Sequence, residues 1–155
     1  MSDRTKLANL LDCLGIDLVE LREVNNTELR LKVQKTVYLL NYLGEKGFDY
    51  PFSFYVRGPY SRALALDYYR IDSTRPGMIK NLEVVKQFFT RETSWLELAS
   101  TMLMVHKDNV GRSNVNEFEI VKNIKPWITL PKFREIINEF NQSHVRTMVK
   151  NTSRI

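Results

Sequence analysis

Few residues in this chain have types and spacings suited to chemistry. His106 and His144 are the two histidines and Cys13 is the one cysteine. There is no His-x-x-x-His pair and no second thiol, so the spacings offer neither a zinc cage nor an internal disulfide. Cys13 sits in the apolar stretch Leu10-Leu11-Asp12-Cys13-Leu14, which reads as a buried thiol acting as a small hydrophobe. His106-Lys107-Asp108 is contiguous and reads as a helix end, where cations suit the backbone dipole. The glycines form neither Gly-x-Gly-x-x-Gly nor a Walker loop, and Ser61 lacks the Gly-x-Ser-x-Gly elbow. Glu117 and Glu119 point to opposite faces of their helix and suggest no shared task. The expectation is a protein with no catalytic residues, no metal and no cofactor.

One local constellation stands out, Arg57-Gly58-Pro59-Tyr60-Ser61. Glycine lets a backbone approach closely, proline fixes a turn, and Ser61 can cap a following helix. The free N–H groups of that helix start, with Arg57 beside them, can hold an anion or a partner's carboxylate. The plainer reading is a strand-to-helix corner, with Tyr60 packed inward and Arg57 solvated.

Other elements must position this corner. Leu7, Leu10, Leu11 and Leu14 predict a helix over 4–14, stopped by Gly15. Residues 16–24 read equally as helix or loop. Leu29, Val33, Val37, Leu40 and Leu43, widened by Leu31, Tyr38 and Tyr42, predict a helix over 28–46. So broad an apolar face belongs to a central helix with neighbours on two sides. Asn26 or Thr27 can cap it, and Gly44 or Gly47 can end it.

Phe52-Ser53-Phe54-Tyr55-Val56-Arg57 reads as a short strand, broken by Gly58-Pro59. A lone strand cannot satisfy its backbone, so residues 16–21, residues 71–75 or a partner chain must pair with it. Helices are expected over 62–70 and 79–89, with a loop over 72–77. Ser94-Trp95-Leu96-Glu97 matches a capping box opening a helix to about Lys107. Asn114 with Glu117 suggests a further helix to Ile124, and Pro131 the first residue of a last one over 131–142. The fold class is therefore mainly α (α+β), with six to seven helices around a central helix and a short β element.

The chain's 155 residues fit one domain spanning 1–155. With 43% apolar and 26% charged residues it has the composition of an ordinary globular domain. No apolar signal segment follows Met1, and Met102 to Val105 is too short a cluster to span a bilayer, so a cytoplasmic protein without membrane contact is expected. The net charge of +5 weakly favours acidic partners, nucleic acid among them. Arg146, Lys150 and Arg154 form a basic C-terminal stretch with no acid, which reads as a solvated chain end.

Two segments together carry a resemblance. Val33-Gln34-Lys35-Thr36-Val37-Tyr38-Leu39-Leu40 is followed about a dozen residues later by Phe52-Ser53-Phe54-Tyr55-Val56-Arg57-Gly58-Pro59-Tyr60-Ser61, then Leu64 and Asp67. This order resembles the Panacea-type domain of SocA-like antitoxins and the related YwgA-like proteins. Those proteins carry a Gln-Lys-x-x-Tyr helix, then an aromatic strand ending in Gly-Pro-Tyr-Ser, then a helix. The resemblance covers about 40 residues; beyond residue 70 the likeness is weak, and a late Pro-Trp, here Pro126-Trp127, is compatible with the family. It implies a mainly helical domain with a small β element that pairs with a protein partner, a toxin in the antitoxin relatives, and it supplies no catalytic residues.

By position, Gln34, Lys35 and Tyr38 lie on the central helix, and Gly58, Pro59, Tyr60 and Ser61 form the corner with Arg57 before it. Gln34 and Lys35, one turn before Tyr38, can turn their polar ends toward the corner and order it. The leading expectation is a non-catalytic protein-interaction domain, antitoxin-like, whose partner is toxin-like or a second copy. The alternative is a DNA-binding transcriptional or regulatory protein, whose affinity would fall steeply with salt.

Overall fold

The computed structural model describes residues 4–112 and 115–142. They form eight helices and one two-stranded antiparallel sheet, a mainly α fold with a small β element. In chain order these are α1 (Arg4–Cys13), α2 (Leu18–Arg22), α3 (Thr27–Tyr42), β1 (Ser53–Tyr55), β2 (Gly58–Tyr60), α4 (Arg62–Arg70), α5 (Leu82–Phe89), α6 (Thr93–Asn109), α7 (Glu117–Ile124) and α8 (Leu130–Gln142). The helix beyond the expected six to seven is α2, in the stretch read as helix or loop. Asp17 caps it by accepting from the Val19 N–H at 2.8 Å.

The two glycine stops share one device. Gly15 (φ +68°) and Gly44 (φ +76°) adopt left-handed backbone. Each N–H reaches a carbonyl three residues back and the next N–H one five residues back, Gly15 to Asp12, Ile16 to Leu11, Gly44 to Asn41 and Glu45 to Leu40. These bonds satisfy carbonyls that a helix end leaves orphaned. Asn26 stands at the start of α3, but its side chain donates to the Glu20 carbonyl instead of capping.

Helix α3 is central, as its broad apolar face implied. Val33, Val37 and Leu40 join one core, with Leu7, Leu10 and Leu11 of α1, Leu21 of α2 and Leu64 and Tyr68 of α4. Tyr38 and Leu39 join a second core, with Phe88, Leu96, Met102, Leu103, Val121, Ile136 and Phe140 from α5 to α8. Leu31 and residues 33–40 of α3 are all buried, so the helix has scarcely a solvent face.

Several expected boundaries moved for identifiable reasons. The strand at 52–57 needs no distant partner: it turns back at once, pairing Ser53 with Tyr60, Phe54 with Pro59 and Tyr55 with Gly58. Gly58-Pro59 therefore opens the second strand instead of breaking the first. Gly58 alone in this turn takes positive φ (+90°), so Val56 and Arg57 keep ordinary backbone.

The Ser94–Glu97 capping box does not form. Helix α6 starts two residues earlier, with Glu92 and not Ser94 at its N-cap, and the Glu97 carboxylate is held by Arg57. Asn116 caps α7 by accepting from the Glu119 N–H at 3.3 Å; Asn114 lies outside the described residues. Cys13 is half-buried, donating its thiol toward the Gly77 carbonyl at 3.4 Å, not buried as expected.

Candidate functional site

The corner is held from behind by α3. Gln34 is fully buried and clasps Ser61 twice: its amide Nε2 donates to the Ser61 carbonyl and its Oε1 accepts from the Ser61 N–H, both at 2.9 Å. The Ser61 carbonyl also accepts from the Ala65 N–H at 3.1 Å, and its hydroxyl caps α4, accepting from the Leu64 N–H at 3.2 Å. One residue along, the buried Lys35 Nζ donates to the Pro59 carbonyl at 2.6 Å. Two successive polar residues on α3 thus fix two alternate residues of the corner.

Behind Lys35 lies a group of charges from four distant segments. Arg57 donates from Nε to Glu97 Oε1 at 2.8 Å and from a terminal nitrogen to Glu28 Oε1 at 3.0 Å. Lys125, itself buried, donates to the Val56 carbonyl at 2.8 Å and lies 3.6 Å from Glu97 Oε2. Glu97 is therefore the hub for Arg57 and Lys125.

Burial pulls the Lys35 amine from the ordinary lysine value of 10.5 down to about 8, with Lys125 and Arg57 pushing the same way and Glu97 opposing. Arg57, hydrogen-bonded to Glu28, is held still more firmly in its charged form, and the Glu28 carboxyl is lowered by the same bond. The Arg57–Glu28 contact is well exposed and adds little stability; the Arg57–Glu97 contact has a largely buried acid.

There is no slack at Gly58. A Cβ there would lie 2.8 Å from the Thr101 hydroxyl, 3.2 Å from the Glu97 carbonyl oxygen and 3.5 Å from Lys35 Nζ. The hairpin backbone rests directly on α6 and the lysine tip. In front, β1 is fully exposed. Phe54, Tyr55 and Val56 are 41%, 54% and 91% accessible, an unusual run of large apolar side chains in solvent.

Of the eight residues singled out, Gln34, Lys35, Arg57, Gly58, Pro59 and Ser61 converge on the corner. Tyr60 is half-buried, with its ring edge-on to Tyr55 at 5.3 Å. Tyr38 goes elsewhere. It turns into the second core, edge-on to Phe52 at 5.1 Å, and its buried hydroxyl has no hydrogen-bond partner among the described residues. Burial, with the Tyr42 and Asp108 charges, raises its ionisation above the ordinary tyrosine range. Arg57 is ion-paired and not simply solvated.

Sequence reasoning missed Glu97, Lys125, Glu28 and Thr101. They lie 40 to 70 residues from Arg57 or on other helices, and no local spacing links them. It also read Glu117 only as a helix-start residue, whereas its two carboxylate oxygens sit 3.1 and 3.0 Å from Nδ1 of the buried His106, joining α7 to α6.

Among the described residues no group of three or more His, Cys, Asp or Glu side chains is placed to hold a metal, and no helix is long and apolar enough to cross a membrane. His144 and the basic Arg146, Lys150 and Arg154 lie outside the described residues. What fold and site define is a mainly helical α+β protein presenting a buttressed β-hairpin. No family model, curated protein or solved structure matches the chain.

Proposed function

We propose that this chain is a non-catalytic protein-interaction module that docks a partner on the outer edge of β1. One observation carries the reading. The Phe54 backbone has no hydrogen-bond partner beyond β2 among the described residues, and Phe54, Tyr55 and Val56 are all exposed. Such an edge is a template for an added strand, with main-chain bonds for affinity and alternate side chains for selectivity. The buried clamps from Gln34, Lys35 and Lys125 hold this edge in one shape before binding, which lowers the ordering cost of association.

The resemblance to Panacea-type antitoxin domains points to a toxin-like protein as the partner. This step is an analogy from fold to function. A second reading, binding to duplex DNA, has the net charge of +5 in its favour.

The test places a photo-crosslinking amino acid at Phe54, and separately at the exposed Met78, in the full chain in its native cell. A discrete protein adduct from position 54 alone is expected. Equal adducts from both positions, or none from 54, would sink the docking edge. Retention of duplex DNA at low salt, lost steeply as salt rises, would favour the second reading.

A further inference from the structure

A second face of the molecule, built from different elements, brings three arginines together. Arg4 in the first turn of α1, Arg70 at the last position of α4 and Arg75 in the loop after it line one hollow of about 190 Å³, along with Thr5, Asp72 and Ser73. Like charges repel, and proteins gather them where an opposite charge is to be received.

The available counter-charge is small. Neither Arg70 nor Arg75 has an ion-pair partner among the described residues. Arg4 places Nε 3.2 Å from Asp67 Oδ1, but that carboxylate also accepts from the Tyr50 hydroxyl at 2.7 Å and does not line the hollow. Asp72 is the one acid in the wall.

The backbone adds to the field. The first turn of a helix carries partial positive charge toward its start. The opposing, negative end of α4 is already covered, because Arg22 donates to the Tyr68 carbonyl at 2.9 Å and to that of Ile71.

The loop bearing Arg75 is pinned. The Arg75 N–H donates to the Ala8 carbonyl at 3.2 Å, and the buried Asn9 amide donates to the carbonyls of Arg75 at 2.9 Å and Pro76 at 3.3 Å. Gly77 lies so close to Asn9 that a Cβ would fall 2.3 Å from the amide carbon. The backbone at all three arginines thus belongs to helices or to this pinned loop, and a ligand has only their exposed side chains to order.

We infer that this hollow is a binding site for a phosphate group, specifically the dianion of a phosphomonoester or of inorganic phosphate. Guanidinium groups present paired N–H donors that match phosphate oxygens, and three of them suit a dianion with three free oxygens better than the single charge of a backbone diester. An open hollow of about 190 Å³ has room for one phosphoryl group, whereas a diester strand would need a groove that continues on both sides.

The test is titration of the isotopically labelled full chain, followed by amide NMR. The probes are inorganic phosphate, adenosine monophosphate and a short DNA duplex without terminal phosphates. The two monoester-type probes are expected to shift amides near Arg4, Arg70 and Arg75 in a saturable way, with a dissociation constant on the order of 1 mM or tighter. The double variant Arg70→Gln/Arg75→Gln, altered only at exposed side chains, should weaken this by at least about tenfold, since each tenfold is a modest loss of binding energy. Lys107→Gln, an exposed cation outside the hollow, should leave it unchanged. Absence of saturable shifts, or equal weakening by Lys107→Gln, overturns the site. If the duplex shifts the same amides as tightly as the monoester, the dianion assignment fails and the arginines read a nucleic-acid backbone.

Discussion

The contact between the hairpin and α6 is best tested by adding a single methyl group at Gly58. In Gly58→Ala the new Cβ meets the Thr101 hydroxyl at 2.8 Å and the Glu97 carbonyl oxygen at 3.2 Å. The first distance is shorter than real Cβ contacts allow, and the second atom is backbone and cannot rotate away. Overpacking of this kind costs about 1–3 kcal/mol. Positive φ adds about 1–2 kcal/mol for a residue with a Cβ.

The expected loss is thus roughly 2–5 kcal/mol, a drop in melting temperature on the order of 5–15 °C for a chain of this length. Gly44→Ala supplies the comparison, because Gly44 has a similar φ of +76° but nothing within 4 Å of its Cβ. It should show the backbone term alone, about 1–2 kcal/mol. Urea denaturation of both variants at one pH measures the difference. If Gly58→Ala is no more destabilised than Gly44→Ala, the hairpin does not rest on Thr101 and Glu97, and the account of a buttressed edge fails.

Three further outcomes follow from the same geometry. Gln34→Ala strands the buried N–H of Ser61, whose carbonyl keeps the Ala65 N–H, and should cost about 1–3 kcal/mol in urea denaturation; a loss well under about 1 kcal/mol would mean that water replaces the clasp. Tyr38→Phe removes a buried hydroxyl with no protein partner, so its stability should stay within about 1 kcal/mol of the parent, and a larger loss would show that the hydroxyl is bonded after all. Lys35 sets a pH dependence: its folded value of about 8 lies below the ordinary 10.5, so between these the unfolded chain holds more protons and stability should rise with pH, by up to about 3 kcal/mol. The neutral amine still donates to Pro59, so no bond is lost. Denaturation midpoints from about pH 7 to about pH 9.5, below tyrosine ionisation in the unfolded chain, should climb in the parent and stay flat in Lys35→Met; a flat parent profile would contradict the assignment.

What was legible in the sequence was what is carried by local spacing. Leu29 to Leu43 announced a helix with two apolar sides, and the two cores that share α3 are the result. Gly15 and Gly44 marked helix ends because only the backbone of the next two residues is involved. Ser61 as a cap, and Gln34 and Lys35 turned toward the corner, were legible for the same reason, since each depends on position along a single helix.

The failures have a common cause in competition for one side chain. Ser94 and Glu97 have the spacing of a capping box, yet the Glu97 carboxylate accepts a charge-assisted, partly buried bond from Arg57, which is stronger than a bond to an exposed backbone N–H. Tyr38 shares the polar register of Gln34 and Lys35 only on paper. One further turn along α3 displaces it along the helix axis beyond the corner, where its ring meets that of Phe52 edge-on.

The charge group behind Lys35 was invisible for a different reason. Glu28, Arg57, Glu97 and Lys125 come from α3, the hairpin turn, α6 and the residue after α7. No periodicity spans such separations, and each residue alone reads as solvated surface. Their meeting also explains why the corner is built as it is. Three cations, Lys35, Arg57 and Lys125, surround Glu97 at the base of an exposed strand, and two of them donate to hairpin carbonyls. Burying Lys35 and Lys125 beside the half-exposed Arg57 is costly on its own, and under the function proposed above that cost goes into holding the docking edge in one shape. That link between charge and edge is why the pH profile of Lys35 and the crosslink at Phe54 test two ends of one mechanism.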